Sequence, residues 1–201
     1  MTRSRRDEGF TLVELLTVIV IITMILMITF VIYHGVTART DLKAAVEMLK
    51  QDVRKVYALA DAGVGVMDAD GVTKQRDQYR MEFHISGDGS APGSAYRTLK
   101  RTWNAGADTW NAWTVVAPQK QTAVQIVSND WIRPTMSSNT VIYACSGMSY
   151  DAGSKTYYLT FITKGSIVTT DALGDAQVTL RSNDQGKNMN IYISTYGSVS
   201  D

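Results

Sequence analysis

The chain has 201 residues, a formal net charge of +1 and one cysteine, Cys145. That length accommodates one membrane-spanning helix and one domain of ordinary size. The near-zero net charge and the scattered basic residues, which form no stripe with aromatic residues, argue against a nucleic-acid partner. A single cysteine excludes an intramolecular disulfide.

The first predicted elements are a short basic segment and a long apolar helix. Residues 3–9 read Arg-Ser-Arg-Arg-Asp-Glu-Gly, and an apolar run extends from Phe10 to Tyr33. A helix of about 24 residues is roughly 36 Å long, which is enough to cross a hydrocarbon core. The run is longer than the apolar region of an ordinary secretory signal. We therefore predict a membrane-spanning helix over residues 10–33.

Glu14 is the only charged side chain in this apolar run. A carboxylate in lipid costs several kcal/mol unless it has a partner. Cleavage after Gly9 would leave a charged amine on Phe10, about one helical turn before Glu14. This amine would pair with Glu14 of its own chain or of a neighbour. The alternative is that Glu14 lies near the headgroups, where the positive end of the helix dipole favours it.

These residues resemble the prepilin leader of type IV pilins and type II secretion pseudopilins. The shared features are the basic leader, Gly9, Phe10, Glu14 and the apolar helix that follows. The resemblance implies that a prepilin peptidase cleaves between Gly9 and Phe10 and methylates the amine of Phe10. It also implies a role for Glu14 in assembly. The implied partners are other pilin or pseudopilin subunits, the peptidase, an inner-membrane assembly platform and the cytoplasmic membrane.

The orientation in the membrane does not follow from charge counting. Three arginines precede the span, and three basic residues, Arg39, Lys43 and Lys50, follow it closely. The number of positive charges is therefore equal on the two sides, and the positive-inside rule favours neither orientation. The resemblance places the leader, residues 1–9, in the cytoplasm and the remaining domain outside. The expected location is the inner membrane, followed by a pilus or pseudopilus.

Residues 34–62 are predicted to continue the helix in amphipathic form. Gly35 marks either a bend or an uninterrupted helix. We expect one helix from Phe10 to about Asp61, ended by Gly63 and Gly65. The apolar positions follow the spacing of one helical face: Leu42, Ala45, Val46, Leu49, Val53, Val56, Tyr57 and Ala60.

Residues 63–201 are predicted to form a β-rich domain outside the cytoplasm, with a loop over Gly63–Asp77. Strands that follow a helix without βαβ alternation favour an antiparallel sheet packed on that helix, so the fold class is α+β. The predicted strands are Tyr79–Ser86, Tyr96–Trp103, Trp113–Ala117, Val124–Val127, Val141–Cys145, Tyr157–Ile162, Ser166–Thr170, Gln177–Arg181 and Asn190–Thr195.

The C-terminal part resembles the end of H-type minor pseudopilins and related minor pilins. A strand reaches a glycine turn at Gly165, another strand follows, and the last strand runs into Gly197-Ser-Val. These residue types are common in β proteins, and the spacing is loose.

The remaining candidate residues are interpreted as structural rather than functional. His34 and His84 are interpreted as surface or interface histidines, because no metal or acid–base partner is evident. Asp68 and Asp70 resemble part of a calcium loop, but further oxygen ligands are missing, so a solvated turn is preferred. Cys145 is interpreted as a small buried hydrophobe.

An aromatic group is predicted around the loop at residues 104–108. Trp103, Trp110, Trp113 and Tyr96 would form either core and hairpin packing or an exposed patch that contacts another subunit or a surface. The sequence contains no Gly-x-Ser-x-Gly nucleophile elbow, no phosphate-binding loop that ends in Gly-Lys-Ser/Thr, and no Cys and His residues at the spacing of a metal site.

Taken together, the sequence predicts a minor pilin or pseudopilin, a structural subunit with no enzymatic activity and no cofactor. The alternative is a membrane-anchored binding or adhesion module whose β domain recognises a surface or DNA. The sequence leaves open whether the machine is a pilus, a secretion pseudopilus or a DNA-uptake apparatus, and a nucleic-acid partner is expected only in the last of these.

Overall fold

The computed structural model begins with one long helix and continues with short strands. Helix α1 spans Leu12–Asp61 and has 50 residues. The chain divides into two compact units, one ending at Thr37 and the other beginning at Ala38. The structure describes residues 11–63, 65–67, 74–85, 94–116, 125–126, 131–133, 140–164, 167–172, 174–183 and 186–200.

The N-terminal part of α1 makes up nearly all of the first unit that the structure describes. The prediction of a continuous helix is confirmed, since the helical backbone passes through Gly35 without a break. β-Branched residues would disfavour such a helix in isolation. Thr17, Thr23 and Thr29 each donate a hydroxyl hydrogen bond of 2.7–2.9 Å to a carbonyl one turn earlier. These threonines are therefore satisfied within the helix and need no ligand.

In the second unit, the apolar face of α1 lies in the core of the β domain. Seven of the eight predicted positions are buried, and Tyr57 is partly buried against the same core. Leu49 and Val53 have no exposed surface at all. The amphipathic pattern therefore identified the buried face correctly.

Two charged residues of this helical segment are also removed from solvent, at least in part. Lys50 is only 5% exposed, and its Nζ lies 3.1 Å from Oε1 of Glu47. Asp52 is half-buried and accepts a 2.5 Å hydrogen bond from the Tyr96 hydroxyl. Periodicity alone cannot show this, because the partner of Asp52 comes from a distant strand.

Short strands make up the rest of the described chain. They are β1 (Gly65–Met67), β2 (Lys74–Arg76), β3 (Gln78–His84), β4 (Ala95–Arg101), β5 (Trp103–Asn104), β6 (Thr109–Trp110), β7 (Thr114–Val115), β8 (Gln125–Ile126), β9 (Ile132–Arg133), β10 (Thr140–Ser146), β11 (Ser149–Asp151), β12 (Thr156–Lys164), β13 (Ile167–Thr170), β14 (Ala176–Ser182), β15 (Asn188–Ile193) and β16 (Val199–Ser200).

The strands form two principal antiparallel sheets, where the sequence predicted one. The larger sheet has the order β11-β12-β3-β4-β9-β8, with β13 also paired to β12 and β7 to β4. The smaller sheet has the order β10-β14-β15-β16. Apolar side chains from both sheets share one core with α1. All nine predicted strands are present, with bounds that shift by a few residues.

Several strands were not predicted, and the loop prediction for Gly63–Asp77 is wrong in part. Strands β1 and β2 pair as a hairpin within that region. Their sequences, Gly-Val-Met and Lys-Gln-Arg, lack the alternation that indicates a strand. Their pairing depends on backbone hydrogen bonds between two short segments.

Side chains from elsewhere in the chain cap the last carbonyl groups of α1. The carbonyl of Ala60 accepts a 2.7 Å hydrogen bond from the Thr163 hydroxyl, and the carbonyl of Asp61 accepts one of 3.2 Å from Arg76. These bonds satisfy carbonyls that have no partner within the helix. Gly63 follows the helix as predicted, whereas Gly65 already belongs to β1.

Candidate functional site

The start of α1 is organised by a reciprocal pair of side chains, Thr11 and Glu14. The backbone N–H of Thr11 donates to Oε2 of Glu14 at 2.9 Å, and the Thr11 hydroxyl donates to the same oxygen at 2.8 Å. The N–H of Glu14 lies 3.3 Å from Oγ1 of Thr11. This arrangement is a capping box, which satisfies helix N–H groups that would otherwise lack acceptors.

The capping box occupies only one carboxylate oxygen of Glu14. Within the part of the chain that the structure describes, Oε1 accepts no hydrogen bond. The positive end of the helix dipole also favours a negative charge at this position. One carboxylate oxygen of Glu14 therefore accepts hydrogen bonds within its own chain, and the other can accept a hydrogen bond from a further donor.

An uninterrupted exposed apolar surface follows the capping box. The exposed fraction of its large apolar side chains ranges from 42% at Val20 to 80% at Leu12. By length and composition, Leu12–Phe30 can cross a membrane. Lipid or the apolar surfaces of other helices would bury these side chains.

A comparison with protein-family models matches residues 4–30 to the prokaryotic N-terminal methylation motif. The chain carries a prepilin-type motif. The matched segment includes Gly9, Phe10 and Glu14. No curated protein and no solved structure matches the chain.

The motif and the fold agree with each other. An N-terminal apolar helix followed by a C-terminal antiparallel β domain is an α+β, pilin-like architecture. The motif marks the chain as a subunit similar to type IV pilins and pseudopilins. The predicted cleavage and methylation residues, Gly9 and Phe10, lie outside the residues that the structure describes.

Of the other candidate residues of this pilin-like chain, the structure describes the surroundings of His84 and Cys145. The prediction of a surface position for His84 is wrong, because its side chain is buried and its ring packs edge to face with that of Trp131, with the centroids 6.0 Å apart. His34 lies within α1, and the Asp68–Asp70 segment lies outside the described residues. Among the described residues, no group of three or more His, Cys, Asp or Glu side chains is placed to hold a metal ion.

Cys145 lies in β10 and packs partly buried against the core, in agreement with its predicted apolar role. Burial raises the pKa of the Cys145 thiol to about 12. Nucleophilic cysteines are activated by the opposite shift, a lowered pKa. The thiol therefore remains protonated near neutral pH.

The predicted aromatic group is only partly confirmed. Trp103 and Trp110 pack edge to face across the β5–β6 hairpin, with ring centroids 5.1 Å apart. Tyr96 does not belong to this group, since its side chain is buried beside Phe83 and bonds to Asp52 of α1. Tyr96 and Arg101 are five positions apart in β4, so their side chains point to opposite faces of the sheet, and Arg101 is the one that stacks on Trp110.

The sequence did not predict a group of stacked arginine and aromatic side chains. Arg80 and Arg101 stack against Trp113, with their guanidinium carbons 4.2 and 4.5 Å from the ring centroid. Tyr158 and Trp110 extend this stack. The members come from β3, β4, β6, β12 and the segment before β7, so the tertiary fold brings them together. Their scattered positions gave no local signal.

Proposed function

We propose that this chain is a minor pilin or pseudopilin, anchored in the inner membrane and then incorporated into a filament. The observation that most directly supports this proposal is the exposed apolar run of α1, in which Glu14 is the only charged side chain. In the membrane, lipid covers this run. In the filament, apolar helices of neighbouring subunits replace the lipid, so the exchange nearly conserves apolar burial.

In this proposal, processing prepares the N-terminus for assembly. The prepilin peptidase cleaves after Gly9 at the cytoplasmic face and methylates Phe10, while the β domain lies outside. The prepilin-type motif over residues 4–30 supports this sequence of events. Mass spectrometry of the chain from its native host should find N-methylphenylalanine at residue 10. An intact leader on a fully working protein would contradict the proposal.

Glu14 then selects the register between subunits. The capping box holds one carboxylate oxygen, and the second oxygen accepts the Phe10 amine of a neighbouring subunit. An ion pair between these groups is strong in an apolar bundle, because little water screens it. Burial of the carboxylate without such a partner would disfavour any other register.

The test separates the charge of Glu14 from its capping role. Glu14→Gln keeps an acceptor for the Thr11 N–H and so keeps a capping box, but it removes the charge. Thr11→Ala removes the hydroxyl and keeps the charge. We expect Glu14→Gln to insert into the membrane normally and to be incorporated into filaments at least about tenfold less, which corresponds to about 1.4 kcal/mol.

The matched control, Thr11→Ala, should be incorporated nearly as well as the wild type. The measurement is the ratio of filament to membrane protein by quantitative immunoblotting of the native host. Normal incorporation of Glu14→Gln, or an equal loss in Thr11→Ala, would overturn the proposed pairing and leave Glu14 as a helix cap.

The C-terminal resemblance favours the H-type group of minor subunits. The β15–β16 turn contains Gly197, which has a positive φ of 76° and lies against Tyr57 of α1. The proposed Gly-x-Val end therefore sits in a packed turn. A minor subunit would be present in few copies per filament, and counting its copies against the most abundant subunit tests this assignment.

A further inference from the structure

The outer face of the larger sheet carries a row of alternating rings and guanidinium groups. Arg80 lies between Tyr158 and Trp113, 4.2 Å from each ring centroid. Arg101 lies between Trp113 and Trp110, at 4.5 and 4.8 Å. We call these five partly exposed residues the guanidinium–aromatic row.

Strand register places the arginines of this row away from the hydrophobic core. Met81 and Phe83 in β3 are fully buried in the core, and Arg80 alternates with them. Arg101 pairs directly with Gln78, which is on the same face of β3 as Arg80. Both arginines therefore project from the face opposite α1.

Neither arginine of the row has a carboxylate partner within the described residues. Nε of Arg80 donates to the Thr160 hydroxyl at 3.3 Å. Nε and Nη2 of Arg101 donate to Oε1 of Gln78 at 2.9 and 2.5 Å. All of these acceptors are neutral, and the exposed Asp151 carboxylate interacts with the charge of Arg80 only through space. Within the described residues, neither arginine is therefore in direct contact with a carboxylate.

Two other cations of β4 differ from Arg80 and Arg101, because each is in direct contact with a carboxylate. Arg97 contacts Glu82 at 2.8 Å, and Lys100 contacts Asp77 at 2.7 Å. Burial and the nearby charge of Arg80 lower the pKa of Arg101. The Trp113 ring lies between the two guanidinium groups, so an anion that contacts the edges of both groups would relieve their repulsion.

The geometry restricts how such an anion approaches. Each guanidinium carbon lies 4.2–4.8 Å from the centroids of two rings, and the N–H groups point outward in the guanidinium plane. Arg80 uses only Nε for its hydrogen bond to Thr160, so both of its Nη groups remain as donors within the described part of the chain. Edge N–H groups of arginine match the oxygens of phosphate in a bidentate manner.

We propose that the guanidinium–aromatic row binds a single-stranded nucleic acid. Its phosphates contact the edges of Arg80 and Arg101, and its bases stack on the rings at the ends of the row. This ligand class uses both chemical features, since base–aromatic stacking contributes about 1–3 kcal/mol per base. An acidic peptide would use only the charges. A duplex hides its base faces and depends on many phosphate contacts, which two cations do not supply.

This inference is independent of leader removal and filament assembly. It changes the expectation from composition, which argued against a nucleic-acid partner because the basic residues are scattered along the chain. Near-zero net charge still excludes strong long-range attraction. Binding should therefore be local, of moderate affinity and weakened by salt.

The test uses the full chain in a neutral detergent and a fluorescein-labelled oligothymidylate of about 20 nucleotides, a length chosen to exceed one binding site. Fluorescence anisotropy gives the Kd at low and high salt. We expect saturable binding that the double variant Arg80→Gln/Arg101→Gln weakens at least about tenfold, a loss of about 1.4 kcal/mol. Thermal unfolding of each variant confirms that it is folded.

Two controls match this double variant. Lys43→Gln/Lys187→Gln removes two exposed positive charges elsewhere and should bind nearly normally. Glu82→Gln/Arg97→Gln removes a paired cation from the same face and should also bind nearly normally.

Four outcomes would overturn the proposal. They are absence of oligonucleotide binding by the wild type, unchanged binding by the Arg80/Arg101 variant, an equal loss in the Lys43/Lys187 control, and tighter binding of heparin or of a labelled duplex than of the single strand. The last outcome would assign the row to another class of polyanion.

Discussion

Gly197 shows how one residue fixes the C-terminal turn to the helix. Its φ of 76° is a conformation that L side chains rarely adopt, and an added Cβ would overlap the Tyr57 ring. We expect Gly197→Ala to destabilise the domain by about 1–3 kcal/mol from backbone strain alone, with a further loss from the overlap. The measurement is the denaturant midpoint of the full chain in detergent.

Gly186 provides a matched control for this prediction. Its φ is also positive, at 61°, but the nearest atom to an added Cβ is a flexible Arg181 nitrogen at 3.7 Å. Gly186→Ala should therefore cost less than Gly197→Ala. Equal effects of the two substitutions would show that packing against Tyr57 contributes nothing.

Asp52 provides a pH-dependent contribution to stability. Burial is the main cause that raises the Asp52 pKa above its ordinary value of 3.8, although the Tyr96 hydroxyl and Lys55 oppose it. The folded state then binds the proton more tightly than the unfolded state. The contribution of Asp52 to stability is therefore lost as the pH rises from about 3.8 through the raised pKa.

We expect Asp52→Asn to remove this titration while it keeps an acceptor for the Tyr96 hydroxyl. The unfolding free energy of the variant, relative to wild type, should increase with pH across that window. Urea unfolding at a series of pH values measures the difference, and Asp175→Asn, at an exposed position, serves as control. Parallel curves for wild type and Asp52→Asn would contradict the prediction.

At the scale of the element, α1 is one helix whose two parts need different surroundings. Leu16 is 57% exposed, whereas Leu49 is fully buried in the β-domain core. Both have the same side chain in the same helix, so they form a matched pair. We expect Leu49→Ala to lower the unfolding free energy of the β domain by about 2–5 kcal/mol, because it leaves a cavity.

Leu16→Ala should leave the unfolding of the β domain unchanged, because Leu16 contributes nothing to that core. Tryptophan fluorescence in denaturant reports on the β domain, since none of the four tryptophans lies in α1. A loss in Leu16→Ala similar to that in Leu49→Ala would mean that the two parts of the helix unfold together.

The ends of α1 show two different levels of predictability. The Thr11-x-x-Glu14 spacing is a local pattern, and the capping box that it forms requires only the first helical turn. The other end depends on Thr163, which donates to Ala60 from a strand far along the chain. No local pattern identifies that donor.

At the scale of the whole molecule, the strands were easier to predict than their assembly. Apolar and β-branched runs identified nine strands, because side-chain alternation is a local property. The division into two sheets depends on which strands pair, as when β12 contacts β3 across more than 70 residues of sequence. Long-range pairing of this kind leaves no periodic signal.

The sequence by itself determined the prepilin-type motif, the apolar helix with Glu14 near its start, and the buried face of the amphipathic segment. Each of these depends on residues a few positions apart. Only the tertiary structure decided that Asp52 bonds to Tyr96 and that Arg80 and Arg101 share the Trp113 ring. The physical reason is that antiparallel register, not sequence distance, determines which side chains become neighbours.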